Sequence, residues 1–340
     1  MKKVNVVVVG ATGAVGQEIL NILNERNFPI NNLKLCATSR SAGTEIEFQG
    51  QKYVVEETTP ESFTGMDIAL FAGGKASLEY GPAAVERGCV VIDNSSNYRM
   101  DQEVPLVVPE VNPEDVTWHK GIIANPNCST IIMVVVLKPI YDAAGIKRVV
   151  VSTYQAVSGA GKEGIEELTE QVKAVLEGRE YPPSKFAHQI AFNLIPHIDV
   201  FQDMDYTKEE WKMVKETQKI MHDSSIRITA TTVRVPVYRS HSESVNIETE
   251  RKLTAAQAKE ILAQAPGVIV QDDVANKVYP MPLFTSDKDE VFVGRIREDH
   301  TVDNGLNLWV AGDQIRKGAA TNAVQIAELL LKYDCLMEKK

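Results

Sequence analysis

The apolar positions of the chain change period repeatedly, and each change marks an element. Residues 4–9 are an almost unbroken valine run, the pattern of a parallel strand buried on both faces. Glycines follow at 10, 13 and 16, and then Ile19, Leu20, Ile22 and Leu23 recur at helical spacing over 17–24. Runs at 33–37, 68–72, 90–93 and 122–124 predict further strands, with a helical stretch at 77–87 between two of them. Strands alternating with helices predict a doubly wound parallel sheet, whose right-handed crossovers align the ligand-binding strand ends along one edge.

Beyond residue 128 the texture changes. A helix is predicted over 131–144, then longer strands at 149–155, 226–237, 243–250, 268–270, 291–296 and 306–311. Helical patterns at 163–176, 208–221 and 255–263 are fewer, so this half reads as a mixed α+β domain around a large sheet. A last helix at 319–332 follows Gly318 and returns to the first domain. The α/β chain therefore divides into residues 1–127, completed by 313–340, and a second domain over 128–312. No repeat, low-complexity tract or flexible linker interrupts it.

Composition narrows the class. A chain of 340 residues with 44% hydrophobic and 24% charged residues can bury its core without staples. The balance of 36 basic against 46 acidic residues gives a net charge of −10, which disfavours non-specific binding to nucleic acid or anionic membranes. The longest apolar run, 131–137, is too short to span a bilayer, and Asn5 and Gly10 break the run that would imitate a signal peptide. Cysteines 36, 89, 128 and 335 have neither CxxC nor metal-ligand spacing. A reduced, cytoplasmic enzyme without a metal is the expectation.

The glycine turn between strand and helix points to a dinucleotide, because glycine admits a close pyrophosphate and the helix start supplies N–H donors. The spacing is GxxGxxG rather than GxGxxG, so a turn that merely lets the helix pack remains open. The second strand runs into Thr38-Ser39-Arg40-Ser41 without the carboxylate that holds a ribose 2′-hydroxyl. Arg40, with the hydroxyls of Ser39 and Ser41, suits a 2′-phosphate and favours NADP over NAD; the alternative is a solvated loop arginine.

Asn125-Pro-Asn-Cys128-Ser-Thr130 precedes an apolar helix, placing Cys128 in a first turn where the positive end of the helix favours a thiolate. Alone, such a cysteine is more often a buried spectator. Its company argues otherwise. Arg234 and Arg239 share an extended segment with His241, whose loop is re-aimed by Pro236 or Ser240. Gln155 ends a strand before Ser158-Gly159-Ala-Gly161, and Arg99 follows Asp93-Asn-Ser-Ser, where it can gather an anion. Glu216 and Lys219, three apart on one helix face, read alone as an ordinary surface ion pair.

Taken together, these pieces closely resemble the aspartate-semialdehyde dehydrogenase family across essentially the whole chain. The resemblance rests on Gly-Ala-Thr-Gly-Ala-Val-Gly at 10–16, Asp-Asn-Ser-Ser with Arg99, Asn-Pro-Asn-Cys-Ser-Thr at 125–130 and Gln155 with Ser158-Gly159. Glu216-x-x-Lys219, Arg234 with His241, and Gly312-Asp313-Gln314 complete it. It implies a second domain of the glyceraldehyde-3-phosphate-dehydrogenase-like type and a homodimer or homotetramer contacting through that domain's sheet. It also implies that Cys128 is the nucleophile and His241 the acid/base. Arg234 would pair with the substrate α-carboxylate, Glu216 with its ammonium, Gln155 with the acyl group, and Arg99 and Lys219 with phosphate. Gly10, Thr12, Gly13, Ala14, Val15, Ser39, Arg40, Ser41, Ser158, Gly159 and Gln314 would line the NADP site.

The reaction implied is reduction of L-aspartyl 4-phosphate to L-aspartate 4-semialdehyde and phosphate through a thioester, at the branch to lysine, threonine and methionine. Capture on sulfur divides one hard step into two easier ones. N-acetyl-glutamyl-phosphate reductase shares that chemistry, but the Glu216/Arg234 pair favours a free amino group. Glyceraldehyde-3-phosphate dehydrogenase would bring the missing carboxylate after the second strand. A non-catalytic dinucleotide sensor would not need both Cys128 and His241, and a cysteine hydrolase would not need the glycine turn.

Overall fold

The computed structural model describes residues 2–337, which form two compact units. One comprises the chain up to Asn127 together with the residues from Ala319 onward; the other is Cys128–Gly318.

The first unit opens with β1 (Val4–Val9), α1 (Ala14–Glu25) and β2 (Ile30–Ala37). A small antiparallel hairpin of β3 (Glu45–Phe48) and β4 (Gln51–Val54) follows, closed by Gln49 and Gly50 at φ 50° and 75°. Then come β5 (Glu56–Glu57), β6 (Ile68–Phe71), α2 (Ala76–Glu86), β7 (Val90–Asp93) and β8 (Ile122–Ala124). The six long-sheet strands lie in the order β5-β2-β1-β6-β7-β8, every pair parallel.

The valine run explains why β1 is central. Val6 and Val8 enter one apolar cluster with Ile19, Leu23 and Ile68, while Val7 and Val9 enter another with Phe63 and Phe71. Both faces are covered, and each buried valine contributes roughly 1.5–3 kcal/mol. Strand order reverses between β1 and β6, so the crevice at their carboxyl ends is the topological switch point.

The second unit begins with α3 (Cys128–Ala144), followed by β9 (Ile146–Gln155), α4 (Lys162–Leu176), α5 (Lys208–Ile220), β10 (Arg227–Arg234) and β11 (His241–Thr249). It continues with α6 (Ala255–Ala263), β12 (Val268–Val270), α7 (Pro282–Thr285), β13 (Val291–Asp299) and β14 (Gly305–Gly312). Its mixed sheet is ordered β10-β9-β11-β14-β13-β12, with β10/β9 and β12/β13 parallel and the remaining pairs antiparallel. The buried helix α3 packs across β9, β11, β13 and β14.

Residues 313–318, grouped with the returning helix on sequence pattern, lie in the second unit. Asp313 accepts a hydrogen bond from Arg239 at 2.6 Å, and Gln314 accepts one from the Ser240 N–H at 2.9 Å. The chain rejoins the first unit at Ala319, after a π turn over Arg316–Ala320, and runs on as α8 (Thr321–Lys332). There Asn322 donates to the Val107 carbonyl at 2.9 Å and the Asn125 side chain at 2.7 Å.

Candidate active site

In the second unit, register brings the polar residues to one edge of the sheet. Arg234 and Gln155 are cross-strand partners at the carboxyl ends of parallel β10 and β9. Antiparallel β11 enters at the same edge, its first residue His241 opposite Gly312 at the end of β14. His241 is therefore a strand residue and not, as its surroundings in sequence suggest, part of a loop. Ser240, at φ 71°, makes the turn that allows it. Above this edge α3 starts with Cys128, and an added Cβ on Gly318 would lie 2.9 Å from the Cys128 Cβ.

Cys128 is half-buried, and its Sγ lies 3.6 Å from His241 Nε2. The other face of the imidazole is fixed: Nδ1 accepts the backbone N–H of Ala156 at 3.0 Å. Ala156 also offers its carbonyl to Arg234 Nη1 at 2.6 Å, so one residue holds both side chains. His241 is fully buried, and that burial, aided by the Arg234 charge and opposed by Glu209, pushes its pKa down to about 3. Arg234 is 7% exposed, with Phe186 beneath its guanidinium at 5.8 Å. Burial lowers its pKa, Glu209 and Cys128 oppose the shift, and the group stays charged.

Glu209 completes the cluster and was not singled out in the sequence. Its carboxylate accepts a hydrogen bond from Gln155 Nε2 at 3.2 Å and holds Lys212 at 2.9 Å. Glu216 and Lys219 stand two turns further along α5, about 10 Å on. The helix carries two Glu-x-x-Lys pairs, 209/212 and 216/219, so spacing alone could not choose between them. The usable signal was the Thr207–Glu210 capping box, which marks residue 209 as lying in the helix's first turn.

Ser158, Gly159 and Gln314 also gather here. Gln314 donates to the Ser158 hydroxyl, and a Cβ on Gly159 would come within 3.1 Å of Arg234 Nη1 and 3.3 Å of the His241 ring. Arg239 is turned elsewhere, into ion pairs with Asp313 and Asp287 at 2.6 and 2.7 Å.

In the first unit, a cavity of about 410 Å³ opens at the switch point. Gly10, at φ 83°, sits on its wall with Thr38, Ser39, Gly73 and Lys75. Gly13 caps α1 without any side-chain hydrogen bond, followed by Ala14 and Val15, and Thr12 is exposed. A Cβ on Gly16 would lie 2.2 Å from the Gly10 carbonyl, so only glycine lets helix and turn approach this closely. Arg40 stands exposed in the turn Ser39–Ser41. The carboxylate missing from the end of β2 has a counterpart: Glu57, on the adjoining β5, lines the cavity. Arg99, 7% exposed, donates from Nε to the Asn125 carbonyl and from Nη2 to the Asn94 carbonyl, both at 2.9 Å. Among the described residues, no group of three or more His, Cys, Asp or Glu could hold a metal, and no helix is long and apolar enough to cross a membrane.

A nucleotide-type switch point in one unit, and in the other a half-buried cysteine beside a buried histidine, define the semialdehyde dehydrogenase class. Family models agree: "Semialdehyde dehydrogenase, NAD binding domain" matches residues 5–119, and "Semialdehyde dehydrogenase, dimerisation domain" matches 137–317. The aspartate-semialdehyde dehydrogenase of Aquifex aeolicus is 61% identical over 332 residues, covering 96% of this chain and 98% of that protein. The chain belongs to the aspartate-semialdehyde dehydrogenase family. A crystal structure of aspartate semialdehyde dehydrogenase II from Vibrio cholerae complexed with ASA aligns with TM-score 0.95 at 49% identity, covering 98% and 99% of the two chains. The Candida albicans enzyme with NADP aligns with TM-score 0.77 at 26% identity, covering 98% of this chain and 100% of that one.

Proposed function

We propose that the protein reduces L-aspartyl 4-phosphate to L-aspartate 4-semialdehyde and phosphate with NADPH, reversibly, through a thioester on Cys128. The observation that carries this reading is the Cys128–His241 pair at the start of α3, ringed by Gln155, Arg234 and Glu209. Cys128 attacks the acyl carbon. His241 attends the charge on sulfur and on the carbonyl oxygen. Arg234 takes the α-carboxylate, and Gln155 orients the acyl group.

The ammonium group is best matched by Glu209, a nearly buried carboxylate joined to Gln155, in preference to Glu216. That acid favours a free amine over the neutral amide of an N-acetylated substrate. Arg99 and Lys219 carry over to the phosphate on family resemblance, and Lys212 joins them as a cation beside Glu209.

Bound at the switch point, the cofactor would place its pyrophosphate against residues 10–15 and its 2′-phosphate near Ser39, Arg40 and Ser41. Ser158, Gly159 and Gln314 belong to the same proposed set. The NADP carried by the Candida relative supports the phosphorylated cofactor. A homodimer or homotetramer in the cytoplasm accords with the dimerisation-domain match and with the exposed Phe192, Leu194, Phe201 and Met204.

The decisive assay mixes aspartate semialdehyde, phosphate and NADP and follows NADPH absorbance, with NAD and N-acetyl-glutamate semialdehyde in parallel. Phosphate-dependent NADPH formation from aspartate semialdehyde is expected. Turnover only with the acetylated substrate, or none at all, rejects the reading.

A further inference from the structure

The segment joining α4 to α5, residues 177–207, has no strand of its own and a single short turn of helix at Asp203–Asp205. Its buried N–H groups must therefore find acceptors on neighbouring side chains. One face of α4 supplies them. Glu167 accepts the Ser184 N–H at 3.0 Å, the Ser184 hydroxyl at 2.9 Å and the Lys185 N–H, all on one carboxylate oxygen. Gln171, a turn further on, accepts the N–H groups of Ile190 and Ala191 at 2.8 and 3.2 Å and donates to Glu167 at 3.1 Å. Both side chains are buried, and the chemistry described above uses neither. Burial raises the Glu167 pKa, but the donors of residues 184–186 outweigh it and hold the carboxyl below its ordinary 4.5, in the charged form.

What this pair fastens is the seat of Arg234. Phe186 follows directly on the stretch clamped by Glu167, and its ring lies beneath the Arg234 guanidinium at 5.8 Å. It fits there because residue 164 is glycine: a Cβ would stand 3.1 Å from Phe186 Cζ and 2.5 Å from the Val157 carbonyl oxygen. The stretch held by Gln171 leads on to Ile195, whose main chain bridges that of Arg234 at 2.8 and 3.0 Å. Ile190, Ala191 and Ile195 pack with Val157 and Leu168 in one apolar cluster, and Phe186 rests against it. Arg234 thus has three holds: the Ala156 carbonyl, the Phe186 ring and the Ile195 backbone. Two of the three hang from α4.

We propose that Glu167 and Gln171 are positioning residues for substrate selection, acting through Phe186 and Ile195 to set the angle at which Arg234 meets the substrate α-carboxylate. The inference rests on the reading of Arg234 as the carboxylate partner and extends it to residues that touch no substrate. A guanidinium donates through a rigid planar fork, so its value to a carboxylate depends on orientation. Ordering a loose arginine on binding would cost affinity, whereas one already seated keeps it. A charged acceptor suits the clamp, because bonds to a carboxylate are about twice as strong as neutral ones.

Glu167→Gln tests the clamp. Whichever way the new amide turns, its NH2 faces a donor, either the N–H groups of 184–185 or the Gln171 amide. In the semialdehyde assay its KM for aspartate semialdehyde should rise about tenfold, the scale of a hydrogen bond to a charged group. The KM values for phosphate and NADP should stay at those of the wild type. A merely structural role would lower the folded fraction, and so kcat, at unchanged KM. Phe186→Leu keeps the clamp and an apolar seat but removes the ring, and should show the same split. Glu166→Gln, at the exposed neighbouring position of α4, should change none of the three constants.

A crystal structure of Glu167→Gln without substrate should show the Phe186 ring displaced from Arg234. Phe186 found in place, an unchanged semialdehyde KM in both variants, or equal rises for semialdehyde, phosphate and NADP overturns the proposal. Should Glu167→Gln fail to fold, the split in Phe186→Leu decides. Wild-type enzyme inert toward the semialdehyde would reject the proposed reaction instead, while the crystal structure would still report whether Glu167 seats Phe186.

Discussion

Lys212 holds one oxygen of Glu209 at 2.9 Å while Gln155 donates to the other at 3.2 Å, so this carboxylate is oriented from both sides. Lys212 also reaches Asp199 at 3.0 Å, and its carboxylate neighbours raise its pKa against the effect of burial. An acid held this way is prepared to receive a cationic substrate group. Glu209→Gln should therefore raise the KM for aspartate semialdehyde roughly 10–100-fold, the scale of a hydrogen bond to a charged group, and change kcat less. Glu216→Gln should alter thermal stability more than KM. A larger KM effect at Glu216 would return the ammonium to that residue.

Cys128 should be the thiol that reacts. Burial raises the thiol pKa of both Cys36 and Cys335, and Cys89 is completely buried. Substoichiometric iodoacetamide should inactivate the enzyme with the label on Cys128, and Cys128→Ala should lose several orders of magnitude in turnover, as expected when a nucleophile is removed. Peptide mapping checks the site. Inactivation that tracks labelling of Cys36 would reassign the nucleophile.

Cofactor choice tests the turn at Ser39–Ser41. Arg40→Ala should weaken NADP by about 1.5–3 kcal/mol and leave NAD nearly unchanged in calorimetric titrations. Glu57, on the same cavity, supplies the opposite control: Glu57→Gln should weaken NAD more than NADP if its carboxylate reaches a ribose hydroxyl. Parallel losses of both cofactors in Arg40→Ala would mean that the 2′-phosphate is read elsewhere.

The proposed division of the anions between two arginines has its own kinetic signature. Arg99→Lys should raise the KM for phosphate well above its effect on semialdehyde, and Arg234→Lys should do the reverse. Lysine cannot reproduce a planar bidentate donor, and in Arg234→Lys it would also forfeit the Ala156 carbonyl contact and the stacking on Phe186. Displacing the acyl carbon by about an ångström can cost roughly a hundredfold in kcat. Both constants rising together in both variants would point to one shared anion site.

Glu243 makes stability depend on pH. Its carboxyl is fully buried with neither oxygen hydrogen-bonded, and burial raises its pKa well above the ordinary 4.5. The unfolded chain releases this proton above about pH 4.5 while the folded protein keeps it, so stability is lost as pH rises from there toward the folded pKa. Glu243→Met, of similar volume beside Thr153 and Val310, removes that dependence. Its stability gain over wild type should grow between pH 5 and 8 by up to about 1.4 kcal/mol per unit, read from urea midpoints. A pH-independent difference would mean that Glu243 is not the group responsible.

What could be read from sequence followed local pattern. The valine run, the glycine turn and the thiol at a helix start each carry their chemistry within about a dozen residues. Long-range register was not legible. His241 joins the Cys128 edge because Ser240 turns the chain into a strand paired with Gly312, and nothing within 234–241 encodes that partner. Likewise Glu209 and Glu216 are equivalent in spacing, and only the packing of α5 against β10 brings the former to Gln155. The exposed hairpin at 45–54 escaped notice because its charged outward positions masked a short alternation of Ile46, Phe48 and Tyr53.

The main chain of Arg234 is bridged in both directions to Ile195, N to O at 2.8 and 3.0 Å. Fourteen residues later the same stretch of chain delivers Glu209. The backing of the proposed carboxylate reader and the proposed ammonium reader thus travel on one contiguous segment, separate from the strands and helix that carry Cys128, Gln155 and His241. Such a layout makes selectivity a cassette. Recombination or grafting across residues 190–212 would exchange the proposed ammonium reader together with the Ile195 strap on Arg234, while Arg234 itself stays on β10 with the residues of the covalent chemistry, a route by which one scaffold adjusts its head-group pocket without rebuilding its reactive centre.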